Sequence, residues 1–309
     1  MEPRDYPKIN MLQIHYFLET ADSGSFTNAA KQLYTTQSTL SKTILSMEQV
    51  LNVTLLIRSH KRLILTDAGK HLYKKWKNLI EDFEYSIEEC RFLQSGYQSM
   101  LSIGILDSHA PEKFALPQIR NFTKQRPDIH LSVRSYPVQE IREQILSGHL
   151  DLGYTVLYDI EQLQSDDLDY RIINICPHNV GMLSQNPLAR HELLEIQDLK
   201  NCNFVSISPL YTPSYSGMIN DLCHASGFEP NYVRYTNNAI SLPYNLMSER
   251  DIFLCDRNYR GYINPSFVEL QFRPIANTRS GVALFWQKRN AKPELQQFID
   301  SLNTNTDIF

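Results

Sequence analysis

The sequence predicts a basic helical head followed by an acidic α/β body, and three observations carry that reading. Helical periodicity broken by polar turns fills residues 17–69, the charge divides unevenly between the two parts, and from about Met100 strand-like apolar runs alternate with helical ones. At 309 residues the chain has room for about two domains. Its 42% hydrophobic and 21% charged residues allow an ample core and exclude a disordered chain. No apolar run of about 18 residues occurs, so neither a membrane span nor a membrane partner is expected. The polar start Met1-Glu2-Pro3-Arg4-Asp5-Tyr6 lacks the apolar core of a secretory signal, and a cytoplasmic protein is expected.

The head begins with Leu12, Tyr16, Phe17 and Leu18 at near-helical spacing, a first helix that Gly24 ends. Ser25 suits the cap of a second helix, in which Phe26, Ala29, Ala30 and Leu33 form one buried stripe and the small alanine pair permits close helix approach. Thr27 and Lys31 are left outward. After a turn at Tyr34 and Thr35, Thr36 caps a third helix whose Leu40, Ile44, Met47 and Leu51 face inward. Gln37, Ser38, Ser41, Lys42 and Leu45 occupy its other face. Glutamine matches adenine, serine donates or accepts, and lysine suits guanine or phosphate, so Thr27, Thr36, Gln37, Ser38, Ser41 and Lys42 are candidate contacts to double-stranded DNA. Taken singly, each also fits simple capping and solvation; their grouping after the second helix favours readout.

Two β-prone runs, Leu55-Leu56-Ile57-Arg58 and Leu63-Ile64-Leu65, then flank a basic turn and predict a wing that presents Arg58, Lys61 and Arg62 to the DNA backbone or minor groove. Thr66 or Asp67 caps a long helix to about Gln94. Along it Leu72, Trp76, Leu79, Phe83 and Ile87 make an apolar stripe that needs a partner, either a second subunit or the rest of the chain.

Between Thr27 and Leu79 the nine bases Lys31, Lys42, Arg58, Lys61, Arg62, Lys70, Lys74, Lys75 and Lys77 oppose only Glu48 and Asp67. That is +7, and a chain of net charge -4 then carries -11 elsewhere. A positive head on an acidic body suits phosphate binding by the head alone, although charge by itself fits a solvated helix face equally well.

These residues together resemble the LysR-type transcriptional regulators. The resemblance rests on Ala21, Gly24-Ser25-Phe26-Thr27, Ala29-Ala30, Leu33, Gln37, Leu40-Ser41, Ile44, Glu48, Leu51, Leu55, Arg58 and Thr66-Asp67-Ala68-Gly69. It continues through Leu101-Ser102-Ile103-Gly104, Gly148-His149-Leu150-Asp151-Leu152, Asn186-Pro187-Leu188-Ala189, Gly227-Phe228-Glu229-Pro230 and Phe298-Ile299-Asp300-Ser301-Leu302. Departures are Asn52 where the family usually has glycine, Leu56 where phenylalanine is common, Ser38 where proline is frequent, and Ser248-Glu249-Arg250-Asp251, a turn that often holds glycine and is expected beside the ligand cleft.

The resemblance implies a winged helix-turn-helix over residues 1–66, a linker and dimerisation helix over 67–95, and over 96–309 a two-lobed effector domain like a periplasmic solute-binding protein. Lobe I would take about 96–173 and 277–309, and lobe II about 174–276, with crossings near Asn174 and Ala276. A homodimer or homotetramer and a small-molecule effector in the cleft follow, with no cofactor, metal or catalytic residue.

In the body itself, strands are predicted at 101–106, 131–136, 180–183, 204–207, 232–235, 252–254 and 281–287, and helices at 114–125, 139–147, 216–225 and 293–302. Ligands in such sheets meet the carboxyl ends of strands, which nominates Ser108 and His109, Pro137 and Val138, and Ser206, Ile207 and Ser208 as effector contacts. Tyrosines including Tyr158 and Tyr215 fit either an aromatic pocket or ordinary strand packing.

Other functions find less support. Asp107-Ser108-His109 invites a hydrolase triad, but adjacent side chains rarely aim at one another and no Gly-x-Ser-x-Gly elbow exists. Motifs for nucleotide cofactors and zinc proteases are missing. Cys90, Cys176, Cys202, Cys223 and Cys255 have no close pair, leaving a redox-sensing thiol as an alternative without a resolving partner in sequence. A solute-binding protein would explain the body and not the basic head.

Overall fold

In the computed structural model, which describes residues 8–58, 63–162, 166–263 and 269–302, two compact units meet between Ser95 and Gly96. The first opens with helix α1 (Met11–Ser23), whose Asn10 and Gln13 cap each other's backbone N–H groups and whose end turns through Gly24 at φ 58°. A left-handed residue there releases the chain into α2 (Phe26–Gln32), capped by Ser25. Ala29 and Ala30 are buried against α1 and α3 (Gln37–Leu51), which Thr36 caps through its 3.1 Å bond from the Thr39 N–H. Leu40, Ile44 and Met47 are fully enclosed. At the end of α3, Asn52 takes φ 53°, the left-handed conformation that asparagine tolerates better than most side chains, so it replaces glycine at modest cost.

Strands β1 (Leu56–Arg58) and β2 (Leu63–Leu65) pair antiparallel. Glu48 anchors them to α3 by accepting the N–H groups of Leu55 and Leu56 at 2.6 and 3.0 Å. Helix α4 (Asp67–Gln94) then starts from Thr66, whose hydroxyl donates to Thr54 O at 2.7 Å and accepts the Gly69 N–H at 2.9 Å. A Cβ on Gly69 would lie 2.2 Å from Leu55 O, which is why that turn of the helix needs glycine. The first turns of α4 belong to the head: Leu72, Tyr73, Trp76 and Ile80 pack on its core, with the Trp76 and Phe17 rings edge to face at 5.6 Å.

The second unit consists of two lobes with the same sheet topology. In lobe I, β3 (Ser99–Leu106), β4 (Ile129–Tyr136), β5 (Leu152–Val156), β6 (Leu168–Cys176) and β12 (Ser280–Gln287) lie in the order β4-β3-β5-β12-β6. Helices α5 (Leu116–Gln125), α6 (Val138–Ser147), α7 (Leu157–Gln162) and α9 (Pro293–Ser301) accompany them. In lobe II, β7 (His178–Leu183), β8 (Asn203–Ile207), β9 (Asn231–Thr236), β10 (Asp251–Asp256) and β11 (Leu270–Pro274) lie as β11-β7-β10-β8-β9, with helix α8 (Pro213–Ala225). The three parallel strands at one side and the two antiparallel ones at the other match between lobes.

Strand β6 stays in the lobe I sheet to Cys176, so the first crossing falls at Pro177, beyond Asn174. The return lies between Pro274 and Ser280, around the expected Ala276. The strands β5, β6 and β11, unassigned in the sequence, complete the two sheets. The predicted helix at 114–125 begins at Leu116, because Pro111–Lys113 form a separate 3-10 turn.

His178, buried at the first crossing, has its pKa pushed down to about 4 by burial, against the opposing pull of Asp256. Its ordinary value is about 6.5. In the fold it remains neutral where the unfolded chain already binds a proton. Its contribution is therefore fully present above pH 6.5 and is lost as pH falls toward about 4, by up to about 3 kcal/mol. Urea midpoints recorded from pH 7 to pH 4.5 are expected to drop less steeply for His178→Gln than for the natural chain; identical slopes would contradict this account.

Candidate functional sites

The head builds an outward polar face from helix geometry alone. Because Leu40, Ile44 and Met47 fix one side of α3 in the core, Gln37, Ser38, Lys42 and Leu45 are exposed on the other, and Ser41 is half-buried. Thr27, exposed at the start of α2, donates to Gln37 Oε1 at 3.4 Å and so brings the first turns of the two helices together. Thr36 is committed to Thr39, both as a cap and through a 2.8 Å hydroxyl contact, which makes it a positioning residue for α3. Arg58 closes β1, while Lys61 and Arg62 lie outside the described residues.

The apolar stripe on α4 divides. Leu72 and Trp76 are used by the head core, so these two have an intrachain partner. Leu79 and Phe83 remain 45% and 51% exposed, and Leu93 is exposed farther along; Ile87 is half-buried.

Between the lobes a small cavity of about 20 Å³ is walled by His109, Tyr158, His178, Tyr215, Asp256, Tyr259 and Ser280, with Val156, Met218 and Leu242 among its apolar neighbours. That volume holds about one water. The lobes are closed on each other here. His109 and Tyr259 form an antiparallel bridge, Arg260 N–H donates to Ser108 O at 2.8 Å, and Ala110 N–H donates to Asn258 O at 2.7 Å. On another side Asp159 of α7 accepts Ser214 Oγ of α8 at 2.8 Å and also pairs with Arg142.

Asp256 forms the polar centre of this junction. It is 2% exposed and accepts the Asn258 N–H at 2.7 Å, with Ser280 Oγ at 3.4 Å and His109 Nε2 at 3.6 Å. Burial would raise its carboxyl, but His109, Asn258 and His178 outweigh that and hold it below its ordinary value. Ser108 Oγ and His109 Nδ1 are 3.0 Å apart. Contrary to the sequence expectation, these neighbours do aim at each other, because the bridge to Tyr259 turns the loop after β3 inward. With Ser108 only 1% exposed and space for about one water beside it, Ser108 and His109 are joined by a hydrogen bond and His109 faces Asp256 at ion-pair distance, which makes the three a polar link between the lobes.

Of the expected effector contacts, His109 reaches the cavity and Ser108 adjoins it through that bond. Val138 and Ile207 point into the lobe cores, a correction to their expected place in the cleft. Pro137 is exposed; Ser206 is fully buried and bonds to Ile207 O, and Ser208 is half-buried, and none of these three borders the cavity. Tyr158 and Tyr215 line it and also pack with the lobe II core, so both features expected of the tyrosines meet at these two. Asp256, Tyr259, His178 and Ser280 were missed, since their nearness depends on chain crossings that local patterns do not report. The Ser248–Asp251 turn lies at the start of β10, whereas the cavity meets that strand's end at Cys255 and Asp256, so the turn is not beside the cleft.

Burial pushes the thiols of Cys202 to about 11, of Cys176 and Cys223 to about 12, and of Cys255 well above its ordinary value. Such thiols hold little thiolate at neutral pH and are poor peroxide targets. Among the described residues no group of three or more His, Cys, Asp or Glu side chains is placed to hold a metal, and no helix is long and apolar enough to cross a membrane.

Residues 11–70 match the family described as bacterial regulatory helix-turn-helix protein, lysR family, and residues 94–307 match the LysR substrate binding domain. The Hca operon transcriptional activator HcaR of Escherichia coli (strain K12) is 28% identical over 296 residues, covering 94% of this chain and 96% of its own. The regulator AlsR of Bacillus subtilis (strain 168) is 26% identical over 262 residues, with 82% and 85% covered. Among solved structures, CbnR, a LysR family transcriptional regulator, has the same fold with a TM-score of 0.59 at 19% identity, covering 95% of this chain and 98% of its own. CbnR in complex with its target DNA gives the same TM-score and identity. The two matched segments span nearly all of the sequence, and the chain belongs to the LysR family of DNA-binding transcriptional regulators with an effector-binding domain.

Proposed function

We propose that this LysR-family regulator reads a two-fold operator through the outward face of α3 and adjusts that binding when a small molecule enters the cleft between its lobes. The observation that carries the reading is the division of α3: its apolar residues are locked into the head while Gln37, Ser38 and Lys42 stand exposed beside Thr27. Gln37 and Ser38 read base edges, Lys42 reaches a guanine or a phosphate, and Lys31, exposed on α2, neutralises a phosphate. Arg58, Lys61 and Arg62 add affinity from the wing. The relatives HcaR and AlsR, regulators of transcription by name, and the CbnR complex with DNA support this reading. So does the local charge of the head. The protein acts in the cytoplasm as a regulator without catalytic activity of its own.

Subunits pair through the part of α4 that the head leaves uncovered, centred on Leu79 and Phe83, giving a homodimer or, by a second contact, a homotetramer. The closed cleft with Asp256 at its centre is the sensing site. An effector acts by preferring a lobe arrangement other than this closed one, since a ligand shifts an equilibrium only by its differential affinity for the two states.

Three outcomes test these assignments. Gln37→Ala should cost about 1–3 kcal/mol on the operator and little on random DNA, whereas Lys31→Ala should weaken both alike and reduce the salt slope by about 1; equal losses for Gln37→Ala on the two DNAs would remove its reading role. In sedimentation, Leu79→Glu combined with Phe83→Glu should weaken self-association at least tenfold while the head keeps its helical signal, and unchanged association would place the dimer contact elsewhere. In a thermal-shift screen of small metabolites on the full chain, a bound effector raises Tm by mass action, and His109→Leu should abolish that rise. A metabolite whose effect survives His109→Leu would locate sensing outside the cleft.

A further inference from the structure

The lining of the interlobe cavity is electrostatically one-sided. Among the described residues its wall holds one carboxylate, Asp256, and no lysine or arginine. Lys113 and Arg257 stand near that charge without lining the cavity, and Lys113 Nζ donates to Arg257 O at 2.5 Å. His178, also in the wall, is kept neutral by burial. An anionic ligand would therefore meet a buried negative charge with no fixed cation in the wall to offset it, and like charges repel most strongly out of water.

The partners of Asp256 are divided between the lobes. Its Oδ1 accepts the Asn258 N–H at 2.7 Å, two residues on in the same chain segment, whereas His109 Nε2 at 3.6 Å and Ser280 Oγ at 3.4 Å come from lobe I. When the lobes part, the lobe I partners withdraw and the carboxylate is left undercompensated. A ligand that enters must then bring hydrogen-bond donors and a positive charge. His109 has the same complement: in the neutral tautomer that donates from Nδ1 to Ser108 Oγ, 3.0 Å away, its Nε2 is an acceptor.

The rest of the wall suits the carrier of such a charge. Tyr215 and Tyr259 commit their hydroxyls to Leu254 O and Ala239 O at 2.6 and 2.9 Å, so ring surface is what they contribute to the cavity. Tyr158 adds a third ring, its centroid 6.0 Å from that of Tyr215. Aromatic rings attract cations through their negative faces, most strongly where water is excluded.

We infer that the effector of this chain is an organic cation, a protonated amine, whose ammonium group sits between Asp256 and His109 Nε2 and whose carbon skeleton lies among Tyr158, Tyr215 and Tyr259. The inference rests on the cleft being the sensing site. Two contacts of about 2.8 Å made at the tetrahedral angle of an ammonium hold their acceptors about 4.6 Å apart. The observed separation is 3.6 Å, so the head group needs only a small parting at this point. The carbon skeleton, for which a cavity of one water has no room, widens it.

The test uses the full chain at pH 7 with phenethylamine, benzylamine and butylamine as probes. Each is compared with the alcohol and the carboxylate that replace its ammonium group, at equal ionic strength in sodium chloride, by thermal shift and calorimetric titration. At least one amine is expected to raise Tm saturably and to bind at least tenfold more tightly than its alcohol and its carboxylate. Asp256→Asn, which keeps the shape and removes the charge, should weaken that amine at least tenfold, as should His109→Leu. Should Asp256→Asn melt abnormally, the comparison of amine with alcohol and carboxylate on the natural chain, together with His109→Leu, decides the matter. Absence of saturable binding by all three amines overturns the inference and leaves the cleft reading to the metabolite screen. A carboxylate or alcohol that binds best and is lost in His109→Leu overturns it while keeping the cleft as the sensing site. Amine binding that both substitutions leave unchanged overturns the inference and the cleft reading together.

Discussion

A carboxylate buried where two lobes and two chain crossings converge governs the body of this protein. Asp256 ends the central strand of lobe II and is shielded from solvent, so its charge must be met within a few ångströms. The groups that meet it come from three other places in the sequence: His109 from the loop after β3, Ser280 at the return crossing, and Asn258 two residues on. Removing one partner of a buried charge typically costs about 3–5 kcal/mol, because the remaining charge is left uncompensated. The closed arrangement of the lobes follows from keeping this one charge satisfied, whereas burial keeps His178 neutral against the pull of that charge. In the proposed function, a ligand that parts the lobes must supply something in its place, a requirement that would link occupancy of the cleft to a change in shape.

The head is governed by a different constraint, close approach. Two alanines let α2 lie against its neighbours, glycine at position 69 lets α4 pass over Leu55, and Glu48 holds the start of the wing. Each contact fixes a helix rotation rather than supplying a functional group. Once α3 is fixed by Leu40, Ile44 and Met47, the polar residues on its far side have no choice of direction. The face proposed to read DNA is thus the complement of the core, and its placement is inherited from packing.

Much of this was legible in the sequence where local chemistry decides it. Ser25, Thr36 and Thr66 cap the helices they were expected to cap, since a hydroxyl before an amphipathic run satisfies N–H groups that nothing else in the chain can reach. Legibility fails where the deciding partner is distant. Strand β5 is buried throughout and shows no alternation, β6 starts with polar exposed residues, and β11 contains Arg273 and Pro274, so none announces itself as a strand. The regular spacing of Leu72, Trp76, Leu79 and Phe83 showed that the helix has a covered face, yet spacing does not say what covers it; the head takes the first two. Val138 and Ile207 were placed at the cleft because they follow strand ends, whereas the facing of each side chain is set by the helix or pleat that carries it toward its own lobe core.

The charge partition acquires further meaning from these details. The body from residue 96 on holds 23 acidic and 18 basic side chains, a net -5, so it does not attract free anions at long range, and any anion it binds must be held by contacts that screening does not weaken. Exposed lysines scattered over such a surface would not suffice, because each is worth little in water. The same reasoning separates the two ends of the protein. On the head the proposed DNA contacts are many exposed cations acting together on a polyanion, and their effect declines with salt; a small ligand in the body would have to be held by a few groups whose placement the fold fixes.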